Sequence, residues 1–420
     1  MKRIISFMAT QRLTAYRVAI AALTSFSMGQ GFAGDWPQIL GPSRNSVADK
    51  EPVPTFTPAP RIAWRAECGS GYSGVAVVDG KVFLWHRVEN QERLTCLNAA
   101  DGKPVWKTDF PAAYAGGFNS DRGPRCVPVV DGEQVFVYGA AGGMHCVGTA
   151  DGKALWSRDL REQYAAEDGY FGAGSTPIVV DDTVVVAVGG DEGAGIVGLD
   201  RNNGKTRWQA TDLEADYASP IAWKSRQVIV PMRMQTVVLD VRDGSTTMTL
   251  PFGQRGLNVI GATPTLFDEH LLMTASYRMG AKLFDLRQSP PTVVWSGDDI
   301  LSSQYNSVVA IGAYFYGIHG REDQGVAELR CVESKTGKVM WSQDGYGVAH
   351  LIGLKDRLIS QRIDGTIQLL SANPDQFESL GSFRLPSGTY RALPALSDGV
   401  LYCRQSDPDD GNLFAVKLAN

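Results

Sequence analysis

Short runs of valine, isoleucine and leucine alternate with polar turn residues along residues 61–420. Val77-Val78 and Val82-Phe83-Leu84 flank Asp79-Gly80, Leu94-Thr95-Cys96-Leu97 follows, and Asp101-Gly102-Lys103 leads into Val105-Trp106. Such runs are too short for helices. Asp-Gly between β-branched runs predicts a tight hairpin, because both central turn residues need positive φ. The order recurs at Pro128-Val129-Val130-Asp131-Gly132 and Asp151-Gly152-Lys153, at Ile178-Val179-Val180-Asp181 and Asn203-Gly204-Lys205, and at Thr336-Gly337-Lys338. Each unit therefore predicts four antiparallel strands, A to D.

Tryptophan marks the end of each unit: Trp64, Trp106, Trp156, Trp208, Trp295 and Trp341. Met248 holds the beat missing between 208 and 295, and Phe383 adds one after 341. Spacings of 40 to 52 residues match one four-stranded propeller blade. The last unit lacks its fourth strand, and Arg61-Ile62-Ala63-Trp64-Arg65-Ala66 supplies an unpaired one at the other end. Joining them closes the ring and removes both open edges. The expected fold is an all-β, eight-bladed propeller closed by an N-terminal strand. Seven blades is the competing count, since units four and seven lack tryptophan.

The run Asp-x-x-Gly-Lys-x-x-Trp, with small residues about ten positions earlier, resembles the eight-bladed quinoprotein-like family. That group includes the pyrroloquinoline-quinone (PQQ) alcohol dehydrogenases and the outer-membrane assembly lipoprotein BamB. The resemblance covers nearly all of residues 61–420. It implies that the six tryptophans dock neighbouring blades near the turn glycine. Asp35-Trp36-Pro37-Gln38-Ile39-Leu40-Gly41-Pro42 also resembles the leader of secreted bacterial proteins with these repeats.

Residues 1–33 read as a cleavable signal peptide, with Lys2, Arg3, Arg12 and Arg17, an apolar run from Val18 to Met28, and Gly31-Phe32-Ala33. Removal leaves 36 basic against 45 acidic residues, a net charge of −9. An acidic surface argues against a nucleic-acid partner. No apolar run is long enough to span a bilayer, and no cysteine at the cleavage point offers a lipid anchor. The expected product is a periplasmic or secreted monomer. Residues 34–60, with Pro52, Pro54, Pro58 and Pro60, predict an extended arm before the propeller at 61–420.

Six cysteines in an exported chain raise the question of disulfides. Cys96, Cys146 and Cys331 each precede a tryptophan by ten residues, so they share one strand-C position and read as small core residues. Cys68, Cys126 and Cys403 sit elsewhere, and the sequence does not pair them. No spacing predicts a zinc site. Two Gly-x-Gly-x-x-Gly matches, at Gly69 and Gly193, fall in turns and open no helix. Asp407-Pro408-Asp409-Asp410-Gly411-Asn412 begins like a calcium loop, but Leu418 stands where the closing acid belongs.

The A–B and C–D turns are short. The D–A and B–C loops on the other face are long and irregular, so a site is expected there. Tyr72, Tyr305, Tyr346 and Tyr390 precede strand A at one offset, with Tyr217 one step away. They are expected to crowd the channel mouth beside Asn119, Asp121, Arg122, Arg125, Asn258, Asn306, His350 and Arg391. Such a funnel suits a flat or polar ligand, and equally a packed plug. His350 has no visible catalytic partner. The favoured expectation is a non-catalytic binding or scaffolding propeller for an envelope protein, a glycan or a small polar ligand. The alternative is a PQQ- and calcium-dependent oxidoreductase. That family's vicinal cysteine pair is missing here, and the chain is shorter than those enzymes.

Overall fold

In the computed structural model, which describes residues 34–406 and 411–418, the chain forms eight four-stranded antiparallel sheets. Among the described residues the one helix is the short Leu160–Tyr164. The signal peptide at 1–33 lies outside the described residues, as do Asp407 to Asp410 of the calcium-like loop. No described helix is long and apolar enough to cross a membrane.

In blade one the strands are Val75–Val78, Lys81–Val88, Gln91–Asn98 and Pro104–Pro111, paired in chain order. Blades two to seven repeat this, opening on Val129–Asp131, Ile178–Val180, Ile221–Trp223, Thr265–Phe267, Val309–Ile311 and Ala349–Leu354. Blade eight takes Ala395–Ser397, Val400–Gln405 and Gly411–Lys417 from the C-terminal end and Arg61–Cys68 from the N-terminal end. There Trp64 stands opposite Ala415. The count is eight, and the ring closes as the sequence predicts. Strands A of neighbouring blades pack on one another, which makes them the lining of the axis.

The tryptophans explain the repeat. Each indole crosses to the C–D turn of the next blade. Trp156 Nε1 donates to the Arg201 carbonyl at 2.8 Å. Its ring lies on Gly204, where φ is +70° and a Cβ would fall 2.7 Å from the ring. Only glycine satisfies both the left-handed turn and the close approach. Trp64, Trp106, Trp208, Trp295 and Trp341 donate likewise to Ala99, Thr149, Val241, Ser334 and Asn373. The strand-C partners of Trp106, Trp156 and Trp341 are Cys96, Cys146 and Cys331, and Gly198 faces Trp208.

Met248 keeps the tryptophan register in blade four, opposite Val238. In blade seven that register falls on Gly381, opposite Leu369, and Phe383 lies two residues beyond it. The cause is the closure. Strands C and D of blade eight come from opposite chain ends, so no C–D turn exists for an indole to dock on. Phe56, just ahead of the closing strand, packs over Gly381 instead.

Residues 36–48 depart from the expected extended arm. Trp36 exchanges backbone hydrogen bonds with Val77 in strand A of blade one, and the Pro37 carbonyl accepts from Val130 N in blade two. Ser46 and Ala48 bond Gly353 in strand A of blade seven. Between these points Ile39 and Leu40 are buried against Val127 and Leu393. Arg44, 2% exposed, donates to the carbonyls of Thr176 at 3.2 Å, Pro177, and Pro220 at 2.8 Å, just ahead of strands A of blades three and four. Its Nε donates to Gln38 at 2.7 Å. A segment that reaches the inner strands of blades one, two and seven and the entrances of three and four crosses the axis. It fills the channel. The segment enters and leaves at the A–B turns, where Asp35 accepts from Asp79 N and Glu51 from Asp398 N and Gly399 N.

Candidate functional site

On the D–A and B–C loop face, the channel mouth is spanned by a chain of charged and aromatic groups. Arg391, ahead of strand A of blade eight, sets its Nε 3.0 Å from both Glu322 carboxylate oxygens. Glu322 comes from the B–C loop of blade six. Tyr305 donates its hydroxyl to the same carboxylate at 2.6 Å. On the other side Arg391 Nη1 donates to the Tyr72 hydroxyl at 3.3 Å, which also accepts from Asn119 Nδ2 at 2.8 Å. The Arg125 and Arg391 guanidinium groups both lie over the Tyr72 ring. Burial works to raise the Glu322 pKa, but the bonds from Arg391 and Tyr305 outweigh it, and the group ends below its usual value. Bonding to Glu322 raises Arg391, and burial raises Tyr305. The pair stays ionised across ordinary pH.

Around this core the other expected residues take different roles. Asp121 holds the loop: its carboxylate accepts from Gly71 N at 3.0 Å and Gly123 N at 2.9 Å and pairs with Arg125 at 3.2 Å. Arg122 is exposed at the rim. His350 is buried and clasps three blades, through Asn306 Nδ2 at 3.2 Å and the Arg391 carbonyl at 2.8 Å. Burial pulls its pKa down to about 4, so it stays neutral and positions backbone. Asn258 bonds the Gln254 and Gly256 carbonyls of its own loop. Tyr346 and Tyr390 do not reach the mouth. Both are buried, with hydroxyls donating to Ser360 and to the Pro386 carbonyl, and their rings pack on Phe377 and Phe414. The structure thus joins Tyr72, Asn119, Asp121, Arg125, Tyr305 and Arg391, and separates Tyr346, Tyr390 and Tyr217 from them.

Tyr217 belongs to a second feature, an open cleft of about 950 Å³ over blades two and three. Its walls include Tyr170, Asp191, Asp212, Glu214, Asp216 and Arg233. Tyr217 accepts from Phe171 N at 2.8 Å. Beside the cleft Phe118 stands 71% exposed, edge-on to Tyr170 at 5.2 Å, and Leu257 on the next loops is 76% exposed. Exposed aromatic residues set among charges mark interaction surfaces.

Glu322, Asp216, Phe118 and Arg44 are absent from the sequence-based selection. Glu322 lies in the irregular loop 319–324, and Arg44 follows the conspicuous Trp36-Pro37 leader, so both carried a positional signal. Nothing in the sequence marks Asp216 among its neighbouring acids.

The sequence matches the family described as outer membrane protein assembly factor BamB over residues 56–221 and 119–343. No curated protein matches it. Among solved structures it is similar to BamB from Moraxella catarrhalis, at 16% identity and TM-score 0.65, over 85% of this chain and 100% of that one. A quinohemoprotein alcohol dehydrogenase of Pseudomonas putida HK5 aligns at 11% identity and TM-score 0.68, over 92% of this chain and 80% of that one. A europium-containing methanol dehydrogenase aligns at 11% identity and TM-score 0.70, over 92% and 98%. At such identities these structures speak for the fold.

Proposed function

The chain belongs to the family of the outer membrane protein assembly factor BamB, and from that premise we propose that it is an exported, non-catalytic propeller of the cell envelope. It takes a partner protein, or a glycan, on its D–A and B–C loop face. The observation that carries this reading is the filled axis. Ile39, Leu40 and Arg44 of the chain itself occupy the axis, and Arg44 there donates to three carbonyls. Buried carbonyls left without a donor cost about 1–3 kcal/mol each. The six cysteines are separate buried thiols. Among the described residues no three His, Cys, Asp or Glu side chains gather to hold a metal. These features favour a binding propeller over one that holds PQQ with calcium.

The loop face has what a docking surface needs. Phe118 and Leu257 are exposed apolar side chains on it, and the Glu322–Arg391–Tyr72–Asn119 chain ties the loop that carries Phe118 to the loops of Glu322 and Arg391. Preorganised loops lower the cost of association. Export rests on residues 1–33, and the mature chain would begin at Gly34. A photo-crosslinking residue at Phe118, expressed in cells, is expected to join an envelope component. The same residue at Leu155, which is on strand D, is expected to give no adduct. Adducts from Leu155 alone would overturn the assignment of the face.

A further inference from the structure

The cleft over blades two and three contains a group that the docking reading leaves unused. Asp216 is 4% exposed, yet it lies in the cleft wall. Its Oδ1 accepts from Tyr217 N at 3.0 Å, while its Oδ2 has no hydrogen-bond partner. A buried carboxylate oxygen without a partner is costly, and such groups mark a missing ligand or water. The Arg233 guanidinium in the same wall makes no bond to Oδ2. Arg233 is already engaged by Glu214 at 3.1 Å, the Gly256 carbonyl at 2.9 Å and the Tyr170 hydroxyl at 3.3 Å. Further out, Asp191, Asp212 and Glu214 make the same cleft acidic, and Tyr170 and Tyr217 give it aromatic walls. A volume of about 950 Å³ lies within the range of small-molecule sites.

We propose that this cleft binds a compact organic cation, an amine or guanidine, whose charged N–H groups bond Asp216 and whose body lies against Tyr170 and Tyr217. Charge selects the cation, and the flat tyrosine faces favour it further through their quadrupoles. The same chemistry is offered by a free amine and by a lysine or arginine side chain of another protein. The site stands on the cleft's own geometry, whether or not the loop face also holds a partner.

The test is calorimetric titration of the mature protein at pH 8 with agmatine and butylamine as free cations, and with a blocked lysine-containing peptide. Butanol serves as the neutral control. Saturable binding of a cationic probe is expected, with none for butanol. Tighter agmatine than peptide binding assigns a free amine, and the reverse assigns a protein side chain. Asp216→Asn is expected to weaken binding by at least about tenfold. Tyr170→Ala should weaken it too, while Asp181→Asn, on the opposite face, leaves it unchanged. Thermal melts of each variant separate lost binding from lost fold. The proposal is overturned if no cationic probe saturates, if butanol binds as well, or if folded Asp216→Asn binds like the parent.

Discussion

Replacing Asp216 by asparagine should stabilise the protein at pH 8 and do little at pH 5. Burial pushes the carboxyl from its ordinary 3.8 up to about 7. The nearby backbone of Ile260, the bond from Tyr217 N and the charge of Arg233 work the other way, and Glu214 adds repulsion. Between those two values the folded state holds a proton that the unfolded state has lost. Stability therefore falls as pH rises through this window. Above it the ionised group costs about 4 kcal/mol. Asparagine keeps the acceptor for Tyr217 N and removes the charge, but leaves an amide donor unpaired at roughly 1 kcal/mol. The net expectation is a gain of about 2–3 kcal/mol at pH 8, and a change within about 1 kcal/mol at pH 5. Glu92 is likewise pushed up to about 7 by burial, so parent and variant must be compared at each pH. Urea unfolding at both pH values reads the difference directly. An equal loss at pH 5 and pH 8 would show that Asp216 acts through packing alone and would refute the argument.

Gly204→Ala should cost at least about 2 kcal/mol in a urea melt, since it sets a Cβ against Trp156 at positive φ; a neutral result would undo the docking account. Trypsin should spare the Arg44–Asn45 bond of the native protein, because Arg44 is buried in the axis. Rapid native cleavage there would place the segment outside the channel. The thiols should ignore an aromatic disulfide reagent in the native state and react in urea, because burial raises Cys68, Cys126, Cys146 and Cys403. Native labelling of Cys126 would contradict its burial.

The sequence made the ring legible because its repeat is a packing rule. An indole every blade needs a glycine turn in the next, and both are visible as letters. Blade seven broke the pattern for a reason only the closed ring reveals. Its neighbour has no C–D turn, so glycine stands where tryptophan would, and Phe56 arrives from far away in the chain. The channel segment was half legible. Trp36, Pro37 and Gly41 stood out, but the carbonyl partners of Arg44 lie more than a hundred residues away. At the mouth, equal offsets suggested one role for Tyr72, Tyr305, Tyr346 and Tyr390. Backbone course decides otherwise: two reach Glu322 and Arg391, and two turn into the blades. Asp216 carried no signal, because burial and a missing partner are properties of the folded cleft.

The central claim is that this propeller binds through its loop face while its axis is occupied by its own chain. Titrating the purified mature protein with PQQ and calcium, followed by melting temperature and quinone absorbance, tests that claim most directly, because any ligand preferring the folded state raises apparent stability. The account predicts no saturable shift and no dye-linked alcohol or sugar oxidation. Stoichiometric PQQ binding that is lost in Arg125→Ala or Arg391→Ala, with such oxidation, would contradict it and make the channel mouth a cofactor site.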